Sequence, residues 1–215
     1  MNIVKMLSNN KNHFKNVNPC NYITIHQTGN TRKGAGALNH AKYINNGSSA
    51  TWHYTVDDEQ VIQHYDDKIQ CWHSGDGRGK GNTESIGIEL CVNSDGNYNK
   101  TISNAVELVK HLMRVHKIPI TNVVQHNKWS GKNCPQQLRE KKNGITWDMF
   151  IQYIRGVKTY TPIEVHAHKT TYTDIDKIAR DVISGLYGNG EERKKKLGSK
   201  YNVVQKRVNE LLKNK

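Results

Sequence analysis

Residues 85–92 read SIGIELCV, a nearly continuous apolar run of the length of one strand. A run with so little polar alternation suits a strand covered on both faces, so it predicts the middle of a sheet. The segments around it supply neighbours. NYITIH (21–26) is alternating and β-branched, WHYTV (52–56) and QVIQHY (60–65) flank the acidic turn DDE and predict a hairpin, and NVVQH (122–126) predicts a further short strand. Helical spacing falls between them. Ile102, Ala105, Val106, Val109, Leu112, Met113 and His116 recur at intervals of three and four over residues 101–117, ending before Ile118-Pro119. Weaker helical patterns cover 35–44 and 146–154. Strands interleaved with helices predict an α/β domain over residues 1–155, a mixed central sheet flanked by helices.

Beyond that region the texture changes. VKTYTPIEVHAHKTTYT (157–173) has scattered Thr, His and Pro and no sustained period, so residues 156–173 read as a linker. Residues 174–215 then carry three short amphipathic patterns, which predict a small C-terminal three-helix bundle. Ile175, Ile178, Ala179, Val182, Ile183 and Leu186 share one helical face, with Asp174 as N-cap and glycines past its end. A second short helix spans 191–197, and Tyr201, Val204, Val208, Leu211 and Leu212 form the face of a third.

The composition bounds what such a chain does. Of 215 residues 35% are hydrophobic, against ~45–50% in an average globular protein, and no run approaches the ~18 apolar residues of a membrane helix. Membrane insertion is therefore not expected. The net charge of +13 splits into +7 over residues 1–155 and +6 over the much shorter remainder. Such a field concentrates anionic partners, whether nucleic acid, lipid headgroups or an anionic bacterial wall. The basic residues are spread over both regions and no nucleic-acid-binding motif accompanies them, so nucleic acid is not expected as a partner. Four cysteines are too few for a disulfide framework at this length and suit a reducing compartment. The opening MNIVKMLSNNKNHFKNVN has no apolar h-region, so export by a conventional signal peptide is not expected.

Three residues have the types of a zinc site. His26 and His126 each end a predicted strand, and Cys134 follows His126 by eight residues through NKWSGKN. Two imidazoles and a thiolate leave the fourth tetrahedral position to water, which is the pattern of a catalytic site. With eleven histidines and four cysteines in the chain, an accidental spacing is the competing reading. Glu89 interrupts the apolar strand, where a lone buried carboxylate costs several kcal/mol unless it is paired or neutralised. Beside zinc-bound water it would serve as general base and acid; on the solvent face of an edge strand it would do nothing. Lys132, two residues before Cys134, either stabilises an oxyanion there or is an exposed lysine of a basic protein. Cys20, Cys71 and Cys91 read as small buried hydrophobes. The glycines of SGDGRGKGN (74–82) lack a Walker-type GK[ST] and read as a flexible loop at a groove rim.

ITIHQTGN, ATWHYTVDDEQVIQ, CWHSG, NTESIGIEL and VVQHNKWSGKNCP occur in the order and spacing of the type 2 N-acetylmuramoyl-L-alanine amidases, which this chain resembles over roughly residues 15–140. That family includes phage endolysins and shares its fold with peptidoglycan recognition proteins. The resemblance implies a zinc amidase cutting between N-acetylmuramic acid and L-alanine of the stem peptide. It puts zinc ligands at His26, His126 and Cys134, the catalytic acid at Glu89 and the transition-state lysine at Lys132. Some relatives place a catalytic tyrosine where this chain has Trp52, which is expected to pack or to line the substrate groove. His73 in CWHSG is either a substrate contact or a structural histidine. The tail segment ARDVISGLYGNGEER (179–193) resembles the cell-wall-binding repeat of phage lysozymes and amidases, with Tyr187 where relatives often carry Trp. That likeness implies muropeptide binding through Gly188, Asn189 and Gly190. The implied partner is bacterial peptidoglycan, reached from the host cytoplasm through a separate holin pore. A non-catalytic peptidoglycan-recognition module is the alternative.

Overall fold

A computed structural model describes residues 3–156 and, further on, 175, 178–179, 182–183, 185 and 187–213. The chain divides into two compact units, Met1–Thr159 and Tyr160–Lys215. In the first, strands β1 (Ile3–Lys5), β2 (His13–Val17), β3 (Tyr22–Gln27), β4 (Tyr54–Val56), β5 (Val61–Gln63), β6 (Ile69–Cys71), β7 (Ser85–Leu90) and β8 (Val123–Gln125) alternate with helices. The helices are α1 (Ala37–Asn45), α2 (Lys80–Thr83), α3 (Tyr98–His116), α4 (Asn127–Ser130), α5 (Gln136–Arg139) and α6 (Trp147–Ile154). Six strands form one sheet in the order β1-β5-β4-β7-β3-β8, parallel except for the β4/β5 hairpin, while β2 and β6 pair antiparallel on their own. The mixed α/β sheet and the hairpin are as the sequence predicts. Among the described residues no helix is long and apolar enough to cross a membrane.

The run at 85–92 does become an inner strand, with β4 on one side and β3 on the other. Successive side chains of a strand point to opposite faces, and that period sorts its residues. Ile86, Ile88 and Leu90 enter the main core with Ile23 and Ile25 of β3 and Tyr54 and Val56 of β4. That face is covered by α3, through Ile102, Ala105, Val106, Val109 and Leu112, and by α6, through Phe150 and Ile154. The other face carries Ser85, Gly87 and Glu89. In the parallel register Thr24 lies opposite Gly87 and His26 opposite Glu89, while Thr55 of β4 flanks Glu89 from the far side.

Helix α3 starts three residues earlier than its apolar spacing suggests, because Asn97 caps it by accepting from the Lys100 amide at 3.2 Å. Strands β1, β2 and β6 were not legible: they are three to five residues long and sit at edges, where few apolar residues are needed.

In the second unit, helices Gly190–Leu197 and Tyr201–Lys213 and the helical residues 178–179 and 182 build a small core of Ala179, Val182, Leu197, Val204 and Val208. Ile178, Tyr187, Tyr201 and Leu211 pack against it. Ile183 and Leu212 depart from the expected apolar faces and are exposed, since so small a core covers only the middle of each stripe. The proposed linker residues 157–173, the Asp174 cap and Leu186 lie outside the described residues.

Candidate metal and catalytic site

The site is built on the polar face of β3 and β7. His26 is the fifth residue of β3, His126 follows the end of β8, the neighbouring strand, and Cys134 closes the loop after α4. Residues 100 apart in the chain are thus brought together by one parallel strand pair. One ligand atom from each of these three buried residues lies within 4.8 Å of the others. Asn127 ties the loop down: its amide donates to the Cys134 carbonyl, and its side chain donates to the carbonyls of Gly131 and Lys132.

The imidazole hydrogen bonds identify the atoms that face the site. His126 Nε2 lies 2.9 Å from the Ser74 carbonyl, which can only accept, so this nitrogen carries the proton and Nδ1 holds a lone pair. His126 Nδ1 is 2.9 Å from His26 Nδ1, and His26 Nε2 is 2.9 Å from His73 Nδ1. Burial lowers the pKa of both rings, and neighbouring histidines and the charge of Lys132 lower that of His26 further. Two neutral imidazoles therefore direct nitrogen atoms at one point beside a buried thiol. Burial and, next, Glu89 push the Cys134 thiol up to about 11, so the thiolate calls for a cation. Two nitrogen lone pairs and a thiolate suit a borderline-soft divalent ion with Zn–N of ~2.0–2.1 Å and Zn–S of ~2.3 Å. The three residues fit a metal.

Glu89 stands beside His26 on the same sheet face. Burial pushes its carboxyl up to about 8 against the opposing charge of Lys132, and its Oε2 is buried with no hydrogen-bond partner. Because β7 has strands on both sides, the edge-strand reading of Glu89 does not apply. Lys132 is exposed, and its positive charge acts on His26, Glu89, His126 and Cys134 alike.

Two expected groove residues lie elsewhere. Trp52 is 6% exposed and packs with Ile44, Tyr65 and Cys71, its Nε1 donating to Thr55 Oγ1 at 2.7 Å. An indole so covered cannot line a groove. His73 is also buried, behind His26, with its ring against Gly87 of β7. The glycine-rich segment is not a loose loop either. Asp76 accepts from the amides of Gly81 and Asn82, and Asn82 Oδ1 accepts from the amides of His73 and Ser74 at 2.8 Å each. Asn82, Ser74 and Gly87 were missed by sequence reasoning. A glycine inside an otherwise apolar strand was the available signal, since it marks a close approach.

In the tail, Gly188 and Gly190 have φ of +67° and +54°, a backbone that glycine adopts without strain. Arg193 organises this turn: Nε donates to the Gly188 carbonyl at 3.0 Å, one terminal nitrogen to Asn189 Oδ1 at 2.9 Å and the other to Gln205 Oε1 at 3.1 Å. The guanidinium fastens the turn to the last helix.

Both units resemble known proteins. Residues 176–212 match the CW_7 repeat. The XlyA amidase of Bacillus subtilis is 48% identical over 136 residues, which cover 63% of this chain and 44% of XlyA. The CwlA amidase of the same species is 32% identical over 194 residues, covering 86% of this chain and 71% of CwlA. The solved catalytic domain of XlyA superposes with a TM-score of 0.66 at 43% identity, over 72% of this chain and 99% of that domain. A Staphylococcus aureus hydrolase, AmiA, shares the fold at 17% identity and a TM-score of 0.58, over 72% of this chain and 82% of AmiA. The chain spans about half the length of the XlyA and CwlH relatives, 44% and 54%. With residues 16–137 matching the N-acetylmuramoyl-L-alanine amidase model over the same segment that builds the buried His-His-Cys site, the chain belongs to that family.

Proposed function

We propose that this protein hydrolyses the amide between the lactyl group of N-acetylmuramic acid and the L-alanine of the stem peptide, with zinc held by His26, His126 and Cys134. The observation that carries the reading is the pairing of His26 with Glu89 across β3 and β7, which sets a buried, unpartnered carboxyl oxygen beside a three-ligand metal set. Three protein ligands suit a catalytic site, because one tetrahedral position stays open. Zinc, when bound, supplies a Lewis acid for the amide carbonyl and lowers the pKa of its water toward ~7.

The chain's own groups then divide the work. Glu89 takes a proton from the attacking water at a carboxyl oxygen and returns it to the alanine nitrogen as the C–N bond breaks, so the same residue is base and then acid. Burial without a partner raises the carboxyl's affinity for that proton, while the positive charges of Lys132 and of a bound metal favour the ionised form in which it starts. Lys132 donates from Nζ to the carbonyl oxygen as negative charge builds there, a role its exposed stem allows without deforming the sheet. Histidines 26 and 126 stay neutral and serve as ligands, consistent with their lowered pKa values.

Residues 174–215 act as a wall-binding module joined through 156–173, with the Gly188-Asn189-Gly190 turn as its muropeptide contact. A second weak contact on an insoluble polymer raises the local concentration of the catalytic unit toward ~mM. The wider setting is an endolysin's: synthesis in the host cytoplasm, passage through a holin-type pore and action at the bacterial wall.

The test is digestion of purified peptidoglycan, scoring new amino termini and new reducing ends separately, with and without chelator. New L-alanine amino termini without reducing ends, lost on chelation and restored by zinc, are expected. Sedimentation on the wall with neither product released would overturn the amidase reading in favour of recognition alone.

A further inference from the structure

The geometry points to His73 as a positioning residue that fixes the tautomer and orientation of His26, with Gly87 as the seat that holds it there. This inference rests on the metal-site reading above. It concerns a residue that touches neither the metal position nor the groove.

An imidazole that gives its Nδ1 lone pair to a metal must carry its proton on Nε2, and a buried N–H needs an acceptor. For His126 that acceptor is the Ser74 carbonyl. For His26 it is His73 Nδ1, at 2.9 Å, with the two rings 85° apart and their centroids 5.0 Å apart. Ser74 Oγ lies 2.9 Å from the same His73 nitrogen and shares it. Consecutive residues 73 and 74 thus support both ligand imidazoles from behind. In the metal-free protein the His26 Nδ1–H donates to His126 Nδ1 at 2.9 Å, so metal binding moves that proton to Nε2, where His73 accepts it; without that acceptor the move leaves a buried N–H unpaired and the metal binds less well.

Three contacts keep His73 in place. Asn82 Oδ1 accepts from the backbone amides of His73 and Ser74 at 2.8 Å each. The His53 ring stands 5.9 Å away on its flank, itself fixed because Nε2 donates to the Ile69 carbonyl and Nδ1 accepts from the Gly87 amide. Gly87 matters most. A Cβ there would fall 2.9 Å from Cγ and Nδ1 of His73, so any side chain at this strand position displaces the ring. The unusual glycine in the middle of a buried strand is thereby accounted for.

The test compares zinc affinity, by competition with a chromogenic chelator, in the full chain and three variants. His73→Phe keeps the ring shape without the acceptor, His73→Asn restores an acceptor near the Nδ1 position, and Gly87→Ala pushes the ring away while leaving His73 itself intact. Zinc binding should weaken ~10–100-fold in His73→Phe and in Gly87→Ala, the range typical of lost outer-shell partners, and recover to within about threefold in His73→Asn. Nitrogen-15 NMR of the zinc-loaded protein gives a readout independent of turnover. In the parent chain the His26 Nε2–H should show the shift of a hydrogen-bonded proton, and that shift should be lost in His73→Phe and return in His73→Asn. Equal zinc affinity in all four proteins, or an unchanged His26 Nε2–H signal in a folded His73→Phe, overturns the inference. A parent chain that binds no zinc overturns the metal-site reading instead, and the inference with it.

Discussion

Replacing Glu89 with Gln should make the metal-free protein more stable at alkaline pH while removing its activity, and the difference should depend on pH in a calculable way. The carboxyl sits at about 8 in the fold against an ordinary 4.5, because burial disfavours the charged form and Lys132 only partly offsets it. Between those two values the folded protein binds more protons than the unfolded chain, so stability falls as pH rises. At ~1.4 kcal/mol per unit the cost is ~3 kcal/mol at pH 7 and ~4–5 kcal/mol above pH 8, as ceilings. Glutamine keeps the shape and loses the titration, but it buries an amide where Oε2 already lacks a partner, so a net gain of ~2 kcal/mol at pH 8.5 is expected. The assay is urea unfolding of both proteins in chelator at pH 5, 7 and 8.5. The variant should be ~2 kcal/mol less stable than the parent at pH 5, where the carboxyl is protonated and the amide penalty dominates, and should overtake it as pH rises to 8.5. A difference that stays constant across this range would refute the claim that Glu89 is a desolvated, unpaired acid. The same variant should lose ~10²–10⁴ in turnover on peptidoglycan if Glu89 is the general base and acid.

Three further outcomes are expected. Lys132→Ala should lower turnover by ~10²–10³ while leaving sedimentation on the wall unchanged, because the ammonium acts on the developing oxyanion and not on wall attachment; equal turnover would remove Lys132 from the mechanism. Trp52→Phe should cost ~1 kcal/mol in thermal unfolding through the lost hydrogen bond to Thr55, with KM for soluble muropeptide unchanged, and a raised KM would return Trp52 to the groove. Arg193→Ala removes three hydrogen bonds that fasten the Gly188–Gly190 turn, so wall binding should weaken while cleavage of soluble muropeptide persists. Unchanged sedimentation would detach that turn from wall recognition.

Much of the architecture was legible because the relevant signals are local. The apolar run at 85–92, the hairpin across DDE and the spacing in α3 each depend on a few consecutive residues, and each appears in the fold within a few residues of its expected limits. The edge strands β1, β2 and β6 were hidden because strands of three to five residues at a sheet margin need little apolar patterning. The site was legible in part for a similar reason. Histidine, cysteine and an intrastrand glutamate announce their chemistry by type, whereas Asn82 and Ser74 act through a backbone carbonyl or a side-chain oxygen that many residue types provide.

From the sequence alone came the order of five of the strands and the three longer helices of the first unit, the three residues able to hold a metal and a carboxyl whose burial would need a purpose. Tertiary structure decided the direction in which each side chain points. A strand's period of two sends neighbours to opposite faces, so only the β3/β7 register could set His26 beside Glu89 on one face and Ile25 beside Ile88 on the other. Contacts across 47 and 100 residues then placed His73 behind His26 and His126 against it. The same kind of contact buried Trp52 among Ile44, Tyr65 and Cys71. No local pattern encodes such choices, because they depend on which distant segment fills the space beside a residue.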